Sequence, residues 1–419
     1  MKWTVFGEDW GSHPSSTQHL FRYLSAKEHV VWMNSIGLRQ PKLSAHDLKR
    51  LYEKGKKMMA RNTSTHSSSG TESPLLQSVP VQVAESTPQT ILSPKAVPLY
   101  GLKLARKANQ YWLSKQVQNA HASLPKSPHA LWLSLPSAVD MIGQCNEEIS
   151  VYYCGDDFRA LAGVDHNVIG KMEDELVEKC DLILTASEAL AERFPAHKTR
   201  LLEHGVDYHQ FSQRRAAPEG FPQTKTLGFY GQLADWVDID LLEAIADHYP
   251  DWTIMLIGAI HTDTKTLLNK PNVKVLPAMP HSQLAAYVQH WDIALLPFKH
   301  CQQIQHCNPL KLREYLASGT PIVCTDFKAA RTYDSVITLV REDDDFIKKL
   351  SEVISTQETL SKAAKQERRI TQSNLVKRDD WSRKAELAHH YVLAALNEKR
   401  GVSKLMPNDR RKEAFIELR

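Results

Sequence analysis

Short apolar runs of strand type alternate with helix-length stretches along nearly the whole of this 419-residue chain, and they do so twice. Residues 3–6, Val30–Asn34, His129–Leu133, Ile149–Cys154 and Asp181–Ala186 make the first set. Thr226–Tyr230, Trp252–Ile257, Val273–Leu276, Ile293–Leu296 and Ile322–Thr325 make the second. Helices are expected over His19–Ala26, 44–61, 102–122, 166–179, 238–248, 281–290, 309–318 and 343–355, and a charged helical end over 356–397. Strands that are apolar on both faces, separated by helices, predict parallel sheets covered on each side. The length exceeds one ordinary core, so two such α/β domains are expected. The stretch 207–223, with Pro218, Gly220 and Pro222, suits the link between them.

Composition narrows the function classes. With 42% hydrophobic and 24% charged residues the chain reads as soluble and globular. A net charge of +4 is small for this length and argues against a nucleic-acid partner. No run of about 18 apolar residues occurs, so no transmembrane helix is expected. Met1–Asp9 is too acidic and too short in apolar residues for a signal peptide, and a cytoplasmic location is expected. None of the six cysteines forms a C-x2-C pair, and the spacing of His300-Cys301 and His306-Cys307 is not that of a structural zinc site. Reduced thiols and no metal follow. There is no G-x-G-x-x-G and no Walker A, which weakens a dehydrogenase or NTPase reading. Residues 62–95, rich in Ser, Thr and Pro, read as a flexible insertion, and 400–419 as a basic tail.

Chemistry concentrates in the run Asn308-Pro309-Leu310-Lys311-Leu312-Arg313-Glu314-Tyr315-Leu316-Ala317-Ser318-Gly319-Thr320-Pro321-Ile322-Val323. It reads as loop, short helix, Gly turn and buried strand. Pro309 suits a first helical position, and Gly319 is placed to end the helix. A helix N-terminus favours phosphate through its free N–H groups and dipole. Lys311 adds charge in the first turn, and Glu314 one turn on can bind hydroxyls. A phosphate plus hydroxyls is what a nucleotide-sugar presents. Asn308 reads as an N-cap close to that ligand. Asp156 and Asp157 follow a buried strand. They suit contact with a reacting sugar or an acceptor hydroxyl, or else a plain Asx-turn. The segments Lys49–Met59 and Lys103–Leu113 interleave basic with apolar residues. They fit a membrane surface and a lipid-linked acceptor, or equally two core-facing helices.

The 308–323 run resembles the nucleotide-sugar site of GT-B fold, group-1 glycosyltransferases, in which a Glu-x7-Glu element precedes a Gly-x-Pro-Val-type strand. Glu314 falls at the second Glu, which implies a ribose contact. His306 stands where the first Glu contacts the donor sugar. The form Asn-Pro-x-Lys-x-x-Glu-Tyr is similar to that of some cell-surface polysaccharide enzymes. Val151–Phe158, Glu173 with Asp181–Ser187, His204-Gly205-Val206-Asp207 with Phe211, and Gly228–Leu233 extend the resemblance in the family's order. Gln232 replaces the family's Arg, and Val237 stands where a Lys is usual, so Lys311 carries more of the diphosphate charge.

The resemblance implies two Rossmann-like domains with parallel sheets facing a central cleft. The acceptor-side domain is expected at 1–207 and the nucleotide-sugar domain at 224–375, with a helix over 376–399 crossing back to the first. Leu310, Gly231 and Gln232 are then implied at the donor, and Ser15 and Ser16, in a loop opening a helix, either against its phosphates or as simple helix caps. The implied activity is retaining transfer from a UDP- or GDP-type sugar to a saccharide or lipid-linked acceptor in polysaccharide biosynthesis, at the inner face of the membrane and without a cofactor. A sugar-nucleotide epimerase and a catalytically degenerate scaffold are the alternatives.

Overall fold

The computed structural model describes residues 1–12, 15–36, 86–94, 96–97, 99–124, 126–160 and 164–401. The helix expected at 44–61, the basic segment Lys49–Met59, most of the 62–95 insertion and all but the first two residues of the 400–419 tail lie outside them. The chain forms two compact units. One comprises Met1–Tyr153, Ala162–Ile183 and His389–Arg419; the other comprises Cys154–Leu161 and Leu184–Ala388. The link 207–223 lies within the second.

The first sheet holds β1 (Lys2–Phe6), β2 (His29–Met33), β3 (Thr90–Leu92), β4 (His129–Leu133), β5 (Ile149–Cys154), β6 (Leu182–Thr185) and β7 (Thr199–Leu201), in the order β3-β2-β1-β4-β5-β6-β7. Strand β1 is central: Lys2 to Phe6 pair in parallel with His29 to Met33 on one side and His129 to Leu133 on the other. Trp3, Trp32 and Trp132 are fully buried. Phe21, from the helix Ser16–Leu24, meets Trp3 edge-on at 5.4 Å. One expectation is corrected here. Part of the 62–95 stretch is not insertion, because Thr90–Leu92 pairs with β2 as the edge strand. Three half-exposed residues between Pro88 and Pro94 leave no period to read.

The second sheet holds β8 (Thr226–Tyr230), β9 (Thr253–Ile257), β10 (Val273–Leu276), β11 (Ile293–Leu296), β12 (Ile322–Thr325) and β13 (Thr338–Val340), in the order β10-β9-β8-β11-β12-β13. The order reverses between β8 and β11. At such a switch point the two chains leave their strands in opposite directions and open a crevice at the carboxyl ends.

The helix Leu310–Ser318 follows β11 and buries seven residues, Leu312 through Ser318. It packs against the helices Tyr208–Ser212, His281–Val288 and Lys362–Leu375. Gly319, at φ 71° and ψ 17°, ends it in the left-handed conformation expected of it. The start differs by one position. Pro309 is the extended cap residue, the helix begins at Leu310, and Asn308 caps nothing. Its amide is engaged elsewhere.

Candidate functional site

Strand β8 runs out at Tyr230 into Gly231, whose N–H donates to the Ile257 carbonyl at 2.8 Å. Gly231 has φ +134°, and a Cβ there would stand 2.5 Å from Lys311 Nζ. Only glycine allows both the backbone conformation and that approach. The Lys311 ammonium lies 4.8 Å from the Phe229 ring centre and 5.5 Å from that of Phe298, one residue from the end of β8 and two beyond β11. Lys311 thus projects to the β8/β11 switch point. It is half-buried, and among the described residues no carboxylate pairs with it. Burial lowers its pKa to about 8. It also sits in the first turn of its helix, where the dipole disfavours a cation. Aromatic faces offset part of that cost. Leu310 opens the helix half-buried, and Gln232 is exposed beside Gly231.

Glu314 is buried and does not stand free. Its Oε1 shares a 2.5 Å hydrogen bond with Nε2 of His281. The other ring nitrogen of His281 lies 3.4 Å from an Asp207 carboxylate oxygen. Burial, with the Asp207 charge added, pushes the Glu314 carboxyl well above the usual carboxylate range.

Asn308 is spent on structure. Its Nδ2 donates to the Ala186 carbonyl at 2.8 Å and to Glu203 at 3.3 Å, while its Oδ1 accepts from Arg313 Nη1 at 2.5 Å. Arg313, 2% exposed, also reaches Glu203 at 3.0 Å and Asp379 at 3.7 Å. This cluster holds the loops around 186, 203 and 308 and the start of the last helix together.

The two aspartates separate. Asp156 is exposed, whereas Asp157 is 4% exposed. Its Oδ2 accepts from His306 Nδ1 at 2.7 Å, and its Oδ1 accepts from the Arg159 N–H at 3.0 Å and from Arg193. Burial works to raise its pKa, but the His306 bond and the Arg193 charge prevail and hold it below the usual carboxylate value. His306 carries its own backbone tie, since Ser187 Oγ donates to its carbonyl at 2.9 Å.

In the first unit, Ser15 is the N-cap of Ser16–Leu24. It accepts from the Gln18 N–H at 3.3 Å and donates to Glu8 at 2.7 Å. Ser16 is buried in the first turn. Among the described residues, no group of three or more His, Cys, Asp or Glu side chains is placed to hold a metal ion.

The structure therefore brings Gly231 and Lys311 together in one cluster, and Asp157 and His306 in another. Sequence reasoning missed His281, Arg193 and Arg313. His281 opens the helix His281–Val288 and Arg193 follows the short helix Glu188–Ala191, and no spacing ties either to its partner. Arg313 carries no sequence pattern that points to its distant partners Glu203 and Asp379.

A family model for glycosyl transferases group 1 matches residues 224–356, the segment that carries Gly231, His306, Lys311 and Glu314. A protein of Bacillus subtilis (strain 168) described as the teichuronic acid biosynthesis glycosyltransferase TuaH is 27% identical over 218 residues, which is 47% of this chain. The match spans 55% of that relative's own length. Among solved structures, HepE of Anabaena in complex with UDP and glucose superposes with a TM-score of 0.62 at 12% identity, over 94% of this chain and 100% of that one. Sucrose-phosphate synthase from Thermosynechococcus elongatus gives a TM-score of 0.61 at 12% identity, over 93% and 97%. These likenesses are of fold, and they are to GT-B proteins. Residues 224–356 in the second unit thus match the model for group 1 glycosyl transferases, and the two parallel α/β units share the fold of these solved structures.

Proposed function

We propose that this protein transfers a sugar from a nucleoside-diphosphate sugar to a saccharide or lipid-linked acceptor in polysaccharide biosynthesis. The observation that carries the reading is Lys311. It is a half-buried ammonium with no carboxylate partner among the described residues, at a helix N-terminus and a topological switch point. A diphosphate would supply the missing anion and complement the helix dipole. Glu314 then takes the ribose hydroxyls, exchanging its bond to His281 for them. The name of the teichuronic acid relative supports the polysaccharide setting. The UDP in the HepE complex makes UDP the first nucleotide to test, with GDP beside it. Retention at the anomeric carbon is the stereochemistry of this reading. Proton NMR of the first-formed product, α from an α-linked donor, checks it.

Binding decides the core of the reading. Thermal-shift and calorimetric titrations with UDP, GDP, ADP, CMP, dTDP and their sugars should show one clear ligand. At 100 times its dissociation constant it should add about 2.7 kcal/mol of stability. No shift with any nucleotide would overturn the proposal and return weight to a scaffold. Conversion of the donor sugar to its epimer without acceptor would favour the epimerase.

We place the enzyme at the inner membrane face through the helix Lys103–His121. Leu104 is 84% exposed and Trp112 45%, with Tyr111 beside them. Lys103, Lys107 and Lys115 flank them, and the helix contains no acidic residue. Among the described residues no helix is long and apolar enough to cross a membrane, so contact would be peripheral. Sedimentation with phosphatidylglycerol vesicles should exceed that with phosphatidylcholine, and Leu104→Ser with Trp112→Ser should abolish it. Equal sedimentation of the double variant would count against this surface.

A further inference from the structure

His306 and Asp157 are more specifically arranged than lining residues need to be. Asp157 lies on the loop after β5, its side chain 1% exposed, with both oxygens engaged. Arg193 and the Arg159 N–H already satisfy Oδ1 and would hold this loop by themselves. The second oxygen is given to His306, whose side chain is 24% exposed. A carboxylate accepts and cannot donate, so the imidazole must carry its proton on Nδ1. Nε2 then presents a lone pair. Among the described residues it has no hydrogen-bond partner. The Ser187 bond to the His306 carbonyl fixes the backbone under the ring. The result is an oriented base of fixed tautomer, open on one side.

Its place in the chain matters. His306 ends the short helix Gln302–His306 between β11 and the helix Leu310–Ser318, and Lys311 follows five positions on, in the first turn of the latter. The group that receives the leaving diphosphate and a group able to receive a proton therefore sit on one short segment.

Given the transfer reading above, we propose that His306 Nε2 accepts the proton of the attacking hydroxyl, with Asp157 as the residue that positions it. The acceptor oxygen bonds to the anomeric carbon on the face from which the diphosphate oxygen departs, as that carbon–oxygen bond breaks, so the retained configuration of that reading is kept. The electron pair of the broken bond leaves on the diphosphate beside Lys311. The hydroxyl proton passes to His306 Nε2, and the imidazolium that forms is stabilised by the Asp157 carboxylate until the proton is lost to water. Without a saccharide, water serves as the attacking hydroxyl and the donor is hydrolysed by the same steps.

Two measurements on the full chain test this. In the first, 15N NMR of the histidine rings, with and without saturating UDP, reports the tautomer of His306, assigned by loss of its signals in His306→Asn. Protonated Nδ1 with unprotonated Nε2 is expected, and Asp157→Asn should remove that preference. A proton on Nε2 in the UDP-bound protein would overturn the proposal, whether or not turnover is observed. In the second, UDP release from UDP-glucose and GDP release from GDP-mannose are followed in water. His306→Ala should lower the rate of the active donor by about 10²- to 10⁴-fold. The affinity for the free diphosphate should stay within about twofold, and added imidazole should restore part of the rate. A merely structural role would not be rescued. An unchanged rate overturns the proposal. So does lost diphosphate affinity, which would make His306 a binding residue. If the wild-type protein binds no nucleotide, the transfer reading fails instead, and the calorimetry shows which has failed.

Discussion

Lys311 and Glu314 are each held in a state that folding alone disfavours. The ammonium of Lys311 is half-buried against two aromatic rings at the wrong end of a helix dipole. Its replacement by Met keeps the stem and removes the charge, so Lys311→Met should leave the melting temperature unchanged or raise it. Nucleoside-diphosphate affinity should fall by about 10- to 100-fold, the range of a charge-assisted hydrogen bond. The pH dependence has a definite sign. The protonated amine binds the anion, and burial has brought its pKa down to about 8. Affinity should therefore weaken as pH rises through 8, and the Met variant should lack that limb. Calorimetry from pH 6.5 to 9.5 decides it, and a wild-type curve no different from the variant's would remove Lys311 from the diphosphate. Glu314 makes the parallel case with the opposite charge. Its carboxyl is buried with Asp207 nearby, so Glu314→Gln relieves repulsion and should not lower the melting temperature at pH 7.5. Nucleoside affinity should drop while inorganic diphosphate binds as before. A destabilised Gln variant with normal nucleoside affinity would show that the carboxyl serves only the fold.

At the scale of elements, Arg313 is the fastening of the helix Leu310–Ser318. It is buried and bonded to Asn308 and Glu203, with Asp379 at 3.7 Å. Removing one partner of a buried ion pair leaves the others uncompensated, at a cost of about 3–5 kcal/mol. Arg313→Met should lower the unfolding free energy from urea titration by that amount, and a loss below about 1 kcal/mol would show that water replaces the guanidinium. The same helix shows what a sequence can and cannot disclose. Its end was legible because Gly319 satisfies a backbone requirement that few other residues meet. The long strands were legible because both faces are buried, so that each reads as an unbroken apolar run. Strands β3, β7 and β13 are three residues each, too short for any period, and their places come from pairing with neighbours already formed. Lys311 could be found because it lies within a local pattern. Asn308 and Arg313 could not be read correctly, because their partners Ala186, Glu203 and Asp379 are far away in sequence. The His306–Asp157 pair is of the same kind, 149 positions apart. Each residue was legible as a candidate, and their bond was not.

Across the molecule, acid should undo the protein through three histidines, His129 and His204 buried and His121 half-buried. In the first unit, Thr4 Oγ1 lies 2.7 Å from His121 Nε2 and 2.9 Å from His129 Nε2, at the end of the sheet near Lys2. Burial, with charge from His129 and Lys2, lowers the His121 pKa to about 3. Burial and Lys2 lower that of His129 to about 4. In the second unit, His204 falls to about 3 through burial, then Arg313 and Lys384. Each ring is neutral when folded, while an unfolded histidine takes a proton near pH 6.5. Between those values the unfolded chain binds more protons, so stability is intact above about pH 6.5 and lost as pH falls toward 3–4. Each group contributes a slope of at most about 1.4 kcal/mol per pH unit, so His204 alone removes about 2 kcal/mol by pH 5. Glu314 works the other way, since protonation suits its burial and acid relieves it. One carboxyl does not offset three imidazoles, and ordinary domain stability is only about 5–15 kcal/mol. Thermal unfolding should therefore shift steeply downward between pH 6.5 and 4.5. His129→Gln should flatten the slope for the transition of the first unit, and His204→Gln for that of the second. A melting temperature level from pH 7 to 5 in the unmutated protein would show that these rings are hydrated or already charged.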